Sequence, residues 1–167
     1  RRPTAEIGRA HHVIKPGSKV KLGSFTITFL KVSHSIADAY ALAIETPVGT
    51  ILHTGDFKVD YTPLDGEMMD LAAFANLGRK GVQLLMSEST NSERPGYTMS
   101  EQRVAKSFDD LFAQATGRIF VATFASNVSR IQQIIKIAES RGRKVYVAGR
   151  SLQRITEIAT EIGYLKD

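Results

Sequence analysis

Two short sequences carry residue types that bind metal ions, and each follows a stretch with the pattern of a β-strand. Residues 32–39 read VSHSIADA, and residues 53–58 read HTGDFK. His34 offers a neutral imidazole, and Asp56 offers a carboxylate that can reach two cations at once. A catalytic zinc ion needs three protein ligands and an open position, so these two residues supply only part of such a site.

Each of the acidic and imidazole side chains also has a simpler interpretation. A lone histidine such as His34 more often makes a structural hydrogen bond, and the Gly-Asp pair at Asp56 is common in turns. Asp38 either orients a metal-bound imidazole by accepting a hydrogen bond from it or caps the following turn, and both interpretations stay open. Glu88 ends a predicted strand, where a carboxylate is otherwise simply solvated.

The second half of the sequence offers a candidate phosphate site. Ser126 and Asn127 lie where a predicted strand gives way to a helix, and Arg150 lies at the start of the next helix. Free N–H groups and the helix dipole favour anions there, and Arg130 or Arg150 could add charge-assisted bonds to an RNA backbone. The alternative is ordinary helix capping by Ser126 and Asn127, and the two roles do not exclude each other.

Hydrophobic periodicity predicts two kinds of structure along the chain. Residues 25–32, 40–45 and 50–53 predict antiparallel strands, with a hairpin turn at 46–49. A short helix over 71–77 and a buried strand over 82–86 follow.

Beyond residue 97, helices alternate with strands predicted over 118–124 and 144–148. Thr98 and Glu101 predict a capping box at the first of three helices, Ser126 or Asn127 caps the second, and Ser151 caps the third. Alternating strands and helices predict a parallel sheet.

Composition favours an ordinary globular protein. The chain has 167 residues, 43% hydrophobic and 23% charged, with a net charge of +5 and no cysteine. The positive charge is compatible with a nucleic-acid partner but is also common without one. The absence of cysteine fits a cytoplasmic location. No stretch approaches the roughly 18 apolar residues of a membrane helix, so we expect no membrane partner.

Five segments in this order are similar to bacterial ribonuclease J, a metallo-β-lactamase fold with a β-CASP insertion. Besides the two metal-binding sequences they are 87–96 (SESTNSERPG), 120–127 (FVATFASN) and 149–151 (GRS). The resemblance implies an α/β fold: a partial metallo-β-lactamase sheet of antiparallel strands over 1–88, then a parallel β-CASP-like portion over 89–167. The family's first metal motif, His-x-His-x-Asp-His, does not occur in the sequence, so the chain is interpreted as an internal fragment.

The resemblance implies a function for the intact protein. It would be a cytoplasmic ribonuclease that cuts RNA internally and from the 5′ end, using a hydroxide activated by two zinc ions. His34 would bind zinc, Asp56 would bridge both ions, and Glu88 would polarise a later histidine near the catalytic centre. The intact protein would form a dimer or tetramer, whereas this segment alone would be inactive because ligands are missing.

Two alternatives remain at this point. The chain could be a non-catalytic module that binds RNA or a nucleotide, or another metallo-hydrolase of the same fold. The zinc content of the longest natural form would separate the first alternative from an enzyme.

Overall fold

The computed structural model describes residues 12–63 and 66–165, and these form two compact units. Within these ranges, the first unit comprises 12–31, 40–55 and 70–87. The second comprises 32–39, 56–63, 66–69 and 88–165. The predicted division of 1–88 from 89–167 stays a prediction, and its outermost residues lie outside the described ranges.

The first unit is built on a five-stranded sheet whose spatial order follows the sequence. Its strands are β1 (Lys19–Leu22), β2 (Phe25–Lys31), β3 (Tyr40–Thr46), β4 (Gly49–His53) and β5 (Leu84–Met86). The first four pair antiparallel, so that Ala43 of β3 lies opposite Thr28 of β2 and Leu52 of β4. The three predicted strands and the turn between β3 and β4 are confirmed.

The core of this sheet follows the period of two that alternating side chains impose on a strand. In β3, Ala41 and Ala43 are buried at 0% and 1% exposure, and their neighbours Leu42 and Ile44 are only half-buried. Leu30 of β2, which lies opposite Ala41, and Leu52 of β4, which lies opposite Ala43, are buried as well. Small alanines in the middle strand therefore take the buried positions.

The segment that precedes β5 contains the helix α1 (Leu71–Lys80), which extends the predicted helix by one turn. Asp70 caps it by accepting from the N–H of Ala73 at 2.9 Å. The strand β5 then pairs parallel to β4. The prediction that this strand is buried was wrong: Leu84, Leu85 and Met86 are 49%, 58% and 49% exposed, so the described residues cover neither face of β5.

The second unit carries three helices, α2 (Glu101–Gln114), α3 (Val128–Ser140) and α4 (Arg150–Glu161). Ile131 of α3 and Ala159 of α4 are buried together with Leu165, at 3–5% exposure. Three partly buried residues pack against this cluster: Val128, Ile135 and Leu152. The core of this unit therefore lies where α3 and α4 pack with Leu165.

Two of the three predicted helix starts were wrong. The cap of α2 is Ser100, whose hydroxyl accepts from the N–H of Gln102 at 3.2 Å, and the Glu101 carboxylate is engaged by two cations instead of closing a capping box with Thr98. The cap of α4 is Gly149, with φ of 100° and no side-chain cap bond, so Ser151 lies inside the helix. Asn127 caps α3, as predicted.

The segments 118–124 and 144–148, predicted as parallel strands, form no strand in the described residues. Both line a cavity of about 710 Å³, together with side chains of α2 and α3 such as Phe112 and Ile131. Pairing requires strands about 4.8 Å apart. Phe120 and Tyr146 are 92% and 87% exposed, so apolar burial within the described residues does not hold the segments at that distance.

The chain as described is nonetheless a mixed α/β structure with one five-stranded sheet and four helices. Across these residues no helix combines the length and the apolar content that a membrane span requires.

Candidate metal-binding and RNA-binding sites

Two loops of the second unit carry the candidate metal ligands. The His34 loop comprises residues 32–39, and the Asp56 loop comprises residues 56–63. The first is closed by a bond from the N–H of Val32 to the carbonyl of Ala39 at 3.3 Å. The N–H of Lys58 donates to the carbonyl of Ser33 at 2.7 Å, so the two loops are joined next to both candidate ligands.

The structure brings His34 and Asp56 together. His34 Nε2 lies 3.7 Å from Asp56 Oδ2, and the two side chains are 29% and 76% exposed. Two ligands of one tetrahedral zinc ion, each at about 2.1 Å from the metal, lie about 3.4 Å apart. The observed separation therefore fits two donors to one cation, with the carboxylate open to solvent on its other side.

The same pair does not make a complete metal site. Within residues 12–63 and 66–165, no group of three or more His, Cys, Asp or Glu side chains is placed to hold an ion. The arrangement supplies an imidazole and a carboxylate to a site that needs at least one more protein ligand.

The turn before Asp56 depends on glycine. Gly55 has φ of 60°, in the left-handed region, and a Cβ added there would lie 3.1 Å from the carbonyl oxygen of Tyr40. The N–H of Gly55 also donates to His53 Nδ1 at 3.1 Å, which gives His53 a structural role. The conformation of this turn therefore requires glycine.

We expect Gly55→Ala to lower the free energy of unfolding by about 2 kcal/mol, of which about 1 kcal/mol comes from the left-handed backbone. Gly23 is the matched control, because its φ is 59° and an added Cβ would meet nothing within 4 Å. Gly23→Ala should lose only the backbone share, about 1 kcal/mol. Chemical denaturation of both variants in the intact protein measures the difference, and equal losses would show that the close approach to Tyr40 has no cost.

Four charged side chains anchor the Asp56 loop within the second unit: Lys58, Asp60, Glu101 and Arg130. Lys58 Nζ lies 3.2 Å from Glu101 Oε1 and 3.7 Å from Asp60 Oδ2, and Arg130 Nη2 lies 2.6 Å from Glu101 Oε2. None of these four side chains is more than 25% exposed. Two cations and two anions therefore compensate one another where water has little access.

Asp60 is the most buried member of this group, with 3% of its side chain exposed. Desolvation by burial alone would raise its pKa. Hydrogen bonds from the N–H groups of Glu101 and Thr62, both 3.0 Å long, together with the Ser100 hydroxyl and the charge of Lys58, lower the pKa below its ordinary value. Asp60 is thus held ionised at the start of α2.

Asp38 contacts a residue beyond the last helix. It has φ of 55°, and its Oδ2 accepts a hydrogen bond from the hydroxyl of Tyr164, which follows α4. The carboxylate therefore ties the His34 loop to the end of α4. Both predicted roles of Asp38, orienting a metal-bound imidazole and capping the following turn, stay predictions.

Glu88 lies two residues after β5 and is half-buried. Its Oε1 accepts from the N–H of Thr90 at 3.1 Å, which shapes the loop that follows. The role near a catalytic centre stays a prediction for this residue.

The residues predicted to contact phosphate differ in exposure and in whether they already bind another group. Asn127 is 6% exposed, and its Oδ1 accepts from the N–H of Arg130 at 3.1 Å, so its side chain serves as the cap of α3. The Arg130 guanidinium is engaged by Glu101. Ser126 and Arg150 are exposed, and Arg150 is the first residue of α4, a helix without a side-chain cap.

Sequence reasoning missed the charged group around Glu101 and the Tyr164 bond to Asp38. Lys58 lies inside the second candidate metal-binding sequence, and that proximity is the one signal that the sequence offers. The partners Glu101 and Arg130 are 43 and 72 residues further along, so no local pattern connects them to Lys58.

Residues 116–167 match the family model described as Ribonuclease J, beta-CASP domain. Over 154 residues the chain is 49% identical to the Ribonuclease J of Thermus thermophilus, a match that covers 92% of this chain and 27% of that protein. The Ribonuclease J of Synechocystis sp. is also 49% identical over 154 residues, covering 92% and 24%. That of Helicobacter pylori strain J99 is 45% identical over 153 residues, covering 92% and 22%.

The chain thus spans about a quarter of the length of the curated relatives it matches. Among solved structures, a protein of unknown function from Enterococcus faecalis V583 shares the fold with a TM-score of 0.58 at 22% identity, over 82% of this chain and 38% of that one. The sequence matches show that the resemblance to ribonuclease J extends over most of the chain.

Proposed function

We infer from these matches that this chain is a segment of the ribonuclease J family, and we propose that the intact protein is a metal-dependent ribonuclease that hydrolyses RNA phosphodiester bonds. The observation that supports this most directly is the 3.7 Å separation of His34 Nε2 and Asp56 Oδ2. An imidazole nitrogen and an exposed carboxylate at that distance suit one cation, and metal-assisted hydrolysis is the chemistry such a pair serves.

We propose zinc as the metal, with two ions in the intact protein. Zinc accepts mixed nitrogen and oxygen ligands, and it would supply a Lewis acid that lowers the pKa of a bound water towards neutrality. His34 would hold one ion through Nε2, and the 76% exposed Asp56 would leave its second oxygen for another. This segment alone should bind zinc weakly and cleave nothing, because the described residues supply only two ligands.

RNA is the proposed substrate, and two exposed residues are the proposed phosphate contacts. Arg150 begins a helix whose first N–H groups have no side-chain cap, so an anion there would meet both a guanidinium and the helix dipole. Ser126 precedes the cap of α3 and is exposed at that helix start. Asn127 would contribute by holding the start of α3 in place.

Glu88 and Asp38 enter the proposal as supporting residues. Glu88 would polarise a histidine near the catalytic centre, and Asp38 would orient the His34 loop through its bond to Tyr164. The oligomeric state, a dimer or tetramer, and the cytoplasmic location are proposed from the family resemblance alone.

The test of this function is the metal content and the activity of the intact protein purified without added metal. We expect about two zinc ions per chain by mass spectrometry and cleavage of a single-stranded RNA oligonucleotide. The metal-free protein, prepared with a chelator, should lose cleavage and regain it with zinc but not with magnesium. Full cleavage by a protein verified to be metal-free would contradict the proposal.

A second candidate is supported by the two-ligand count among the described residues. The intact protein would then bind RNA or a nucleotide without a metal and without cleaving it. RNA binding by an intact protein that purifies without zinc and does not cleave RNA after zinc is added would favour this module over the enzyme.

A further inference from the structure

The carboxylate of Glu101 lies between Lys58 and Arg130 and accepts a hydrogen bond from each of them. Its Oε1 accepts from Lys58 Nζ at 3.2 Å and its Oε2 from Arg130 Nη2 at 2.6 Å. It is the first residue of α2, whereas Arg130 lies in the first turn of α3. One carboxylate therefore joins the Asp56 loop to the starts of two helices.

Lys58 connects the charged group to the segments that carry both candidate metal ligands. Its side chain lies between Glu101 and Asp60, and its backbone N–H donates to the carbonyl of Ser33 at 2.7 Å. Ser33 directly precedes His34, and Lys58 lies two residues after Asp56. A shift of Lys58 would therefore move one candidate ligand relative to the other.

The side chains of this charged group have little access to water, so the loss of any one of them is costly. The side chains of Lys58, Glu101 and Arg130 are 19%, 21% and 25% exposed. Removing one partner would leave an uncompensated charge in a poorly solvated place, where the remaining side chains must rearrange to reach water. A local rearrangement at Lys58 is transmitted directly to the loop that bears Asp56.

We propose that Lys58 and Glu101 are positioning residues that set the separation of His34 and Asp56 for metal binding. The proposal rests on the proposed function, because it assumes that these two residues hold a metal. Neither Lys58 nor Glu101 touches the metal or the substrate in this scheme. Outer-shell groups of this kind change metal affinity by about 10–100-fold when they are removed.

The test is the zinc affinity of the intact protein, measured by competition with a chromophoric chelator. Lys58→Met and Glu101→Gln should each weaken zinc binding by about tenfold or more. Lys58→Arg keeps the charge and the reach, so its affinity should stay within about threefold of the unchanged protein. Unfolding by denaturant is recorded for each variant beside the affinity.

Asp109→Asn is the matched control. Asp109 Oδ1 pairs with Arg141 Nη2 at 2.7 Å and also joins α2 to the end of α3, and both partners of this pair lie outside the His34 and Asp56 loops. Its removal should lower stability without changing zinc affinity. An equal loss of zinc affinity in Asp109→Asn and Lys58→Met would overturn the positioning role, since any helix-joining pair would then suffice.

The remaining outcomes separate this proposal from the proposed function. Unchanged zinc affinity in Lys58→Met, with weakened affinity in Asp56→Ala, would overturn only the positioning role. Unchanged affinity in Asp56→Ala would overturn the metal site and the positioning role together. Where Glu101→Gln fails to fold, the contrast between Lys58→Met and Lys58→Arg decides the question.

Discussion

Asp56→Ala and His34→Ala should each reduce RNA cleavage by the intact protein by about a thousandfold or more. The two side chains lie 3.7 Å apart and are proposed to hold the metal that makes water a nucleophile, so neither can be replaced by an apolar group. RNA affinity should change by less than about threefold, because binding depends on basic residues such as Arg150. Single-turnover cleavage and filter binding with the same oligonucleotide measure the two quantities separately.

The controls remove the same chemical groups elsewhere. Asp110→Ala and His12→Ala take away an exposed carboxylate and an exposed imidazole. Both variants should cleave within about twofold of the unchanged protein. Normal turnover by Asp56→Ala or His34→Ala would exclude that residue from the site, and parallel losses of cleavage and binding would point to a role in substrate contact instead.

Asp60→Asn should lower the free energy of unfolding more than any of the other polar substitutions proposed. The carboxylate is 3% exposed, accepts from two backbone N–H groups at 3.0 Å and lies 3.7 Å from Lys58. The amide keeps the size but loses the charge and one of its two acceptor oxygens. We expect the free energy of unfolding at neutral pH to fall by about 3 kcal/mol, the typical cost of breaking a buried pair.

The same residue predicts the direction of a pH dependence. Because the pKa of Asp60 is lowered in the folded protein, its ionisation stabilises the fold at all pH values above the ordinary aspartate range. This stabilisation is lost as the pH falls from that range through the lowered folded value. The difference in stability between the unchanged protein and Asp60→Asn should therefore be constant from pH 6 to 8 and shrink below about pH 4.

Urea denaturation of both proteins across this pH range measures that difference. Asp70→Asn is a useful comparison, because Asp70 also caps a helix by accepting from an N–H but is exposed. It should cost no more than about 1 kcal/mol. A similar cost for Asp60→Asn and Asp70→Asn would show that burial and Lys58 add nothing to the capping bond.

The strands of the first unit could be predicted because their determinants are local. The alternation of apolar and polar residues predicts β2, and short apolar runs predict β3 and β4. The same reasoning failed for 118–124 and 144–148, where apolar composition predicted strands. A strand exists only when a partner accepts its hydrogen bonds, and local composition does not specify that partner.

In the candidate site, too, the residues with a local sequence signal could be predicted and the contacts distant in sequence could not. Local sequence predicts His34 and Asp56 as metal ligands, and the structure places their side chains 3.7 Å apart. Local sequence also predicts Glu101 as half of a capping box, whereas its contact with Lys58 spans 43 residues of sequence. Long-range ion pairs leave no periodic signal in a sequence. The side chains that hold the loops in place could therefore be identified only in the structure.

The bond between Asp38 and Tyr164 has a consequence for biosynthesis, because the two residues are 126 positions apart. At about 5–20 residues per second, the ribosome adds Tyr164 roughly 6–25 s after Asp38. During that interval the nascent His34 loop lacks this anchor. Full ordering of the loop must therefore wait until α4 has left the ribosome and folded.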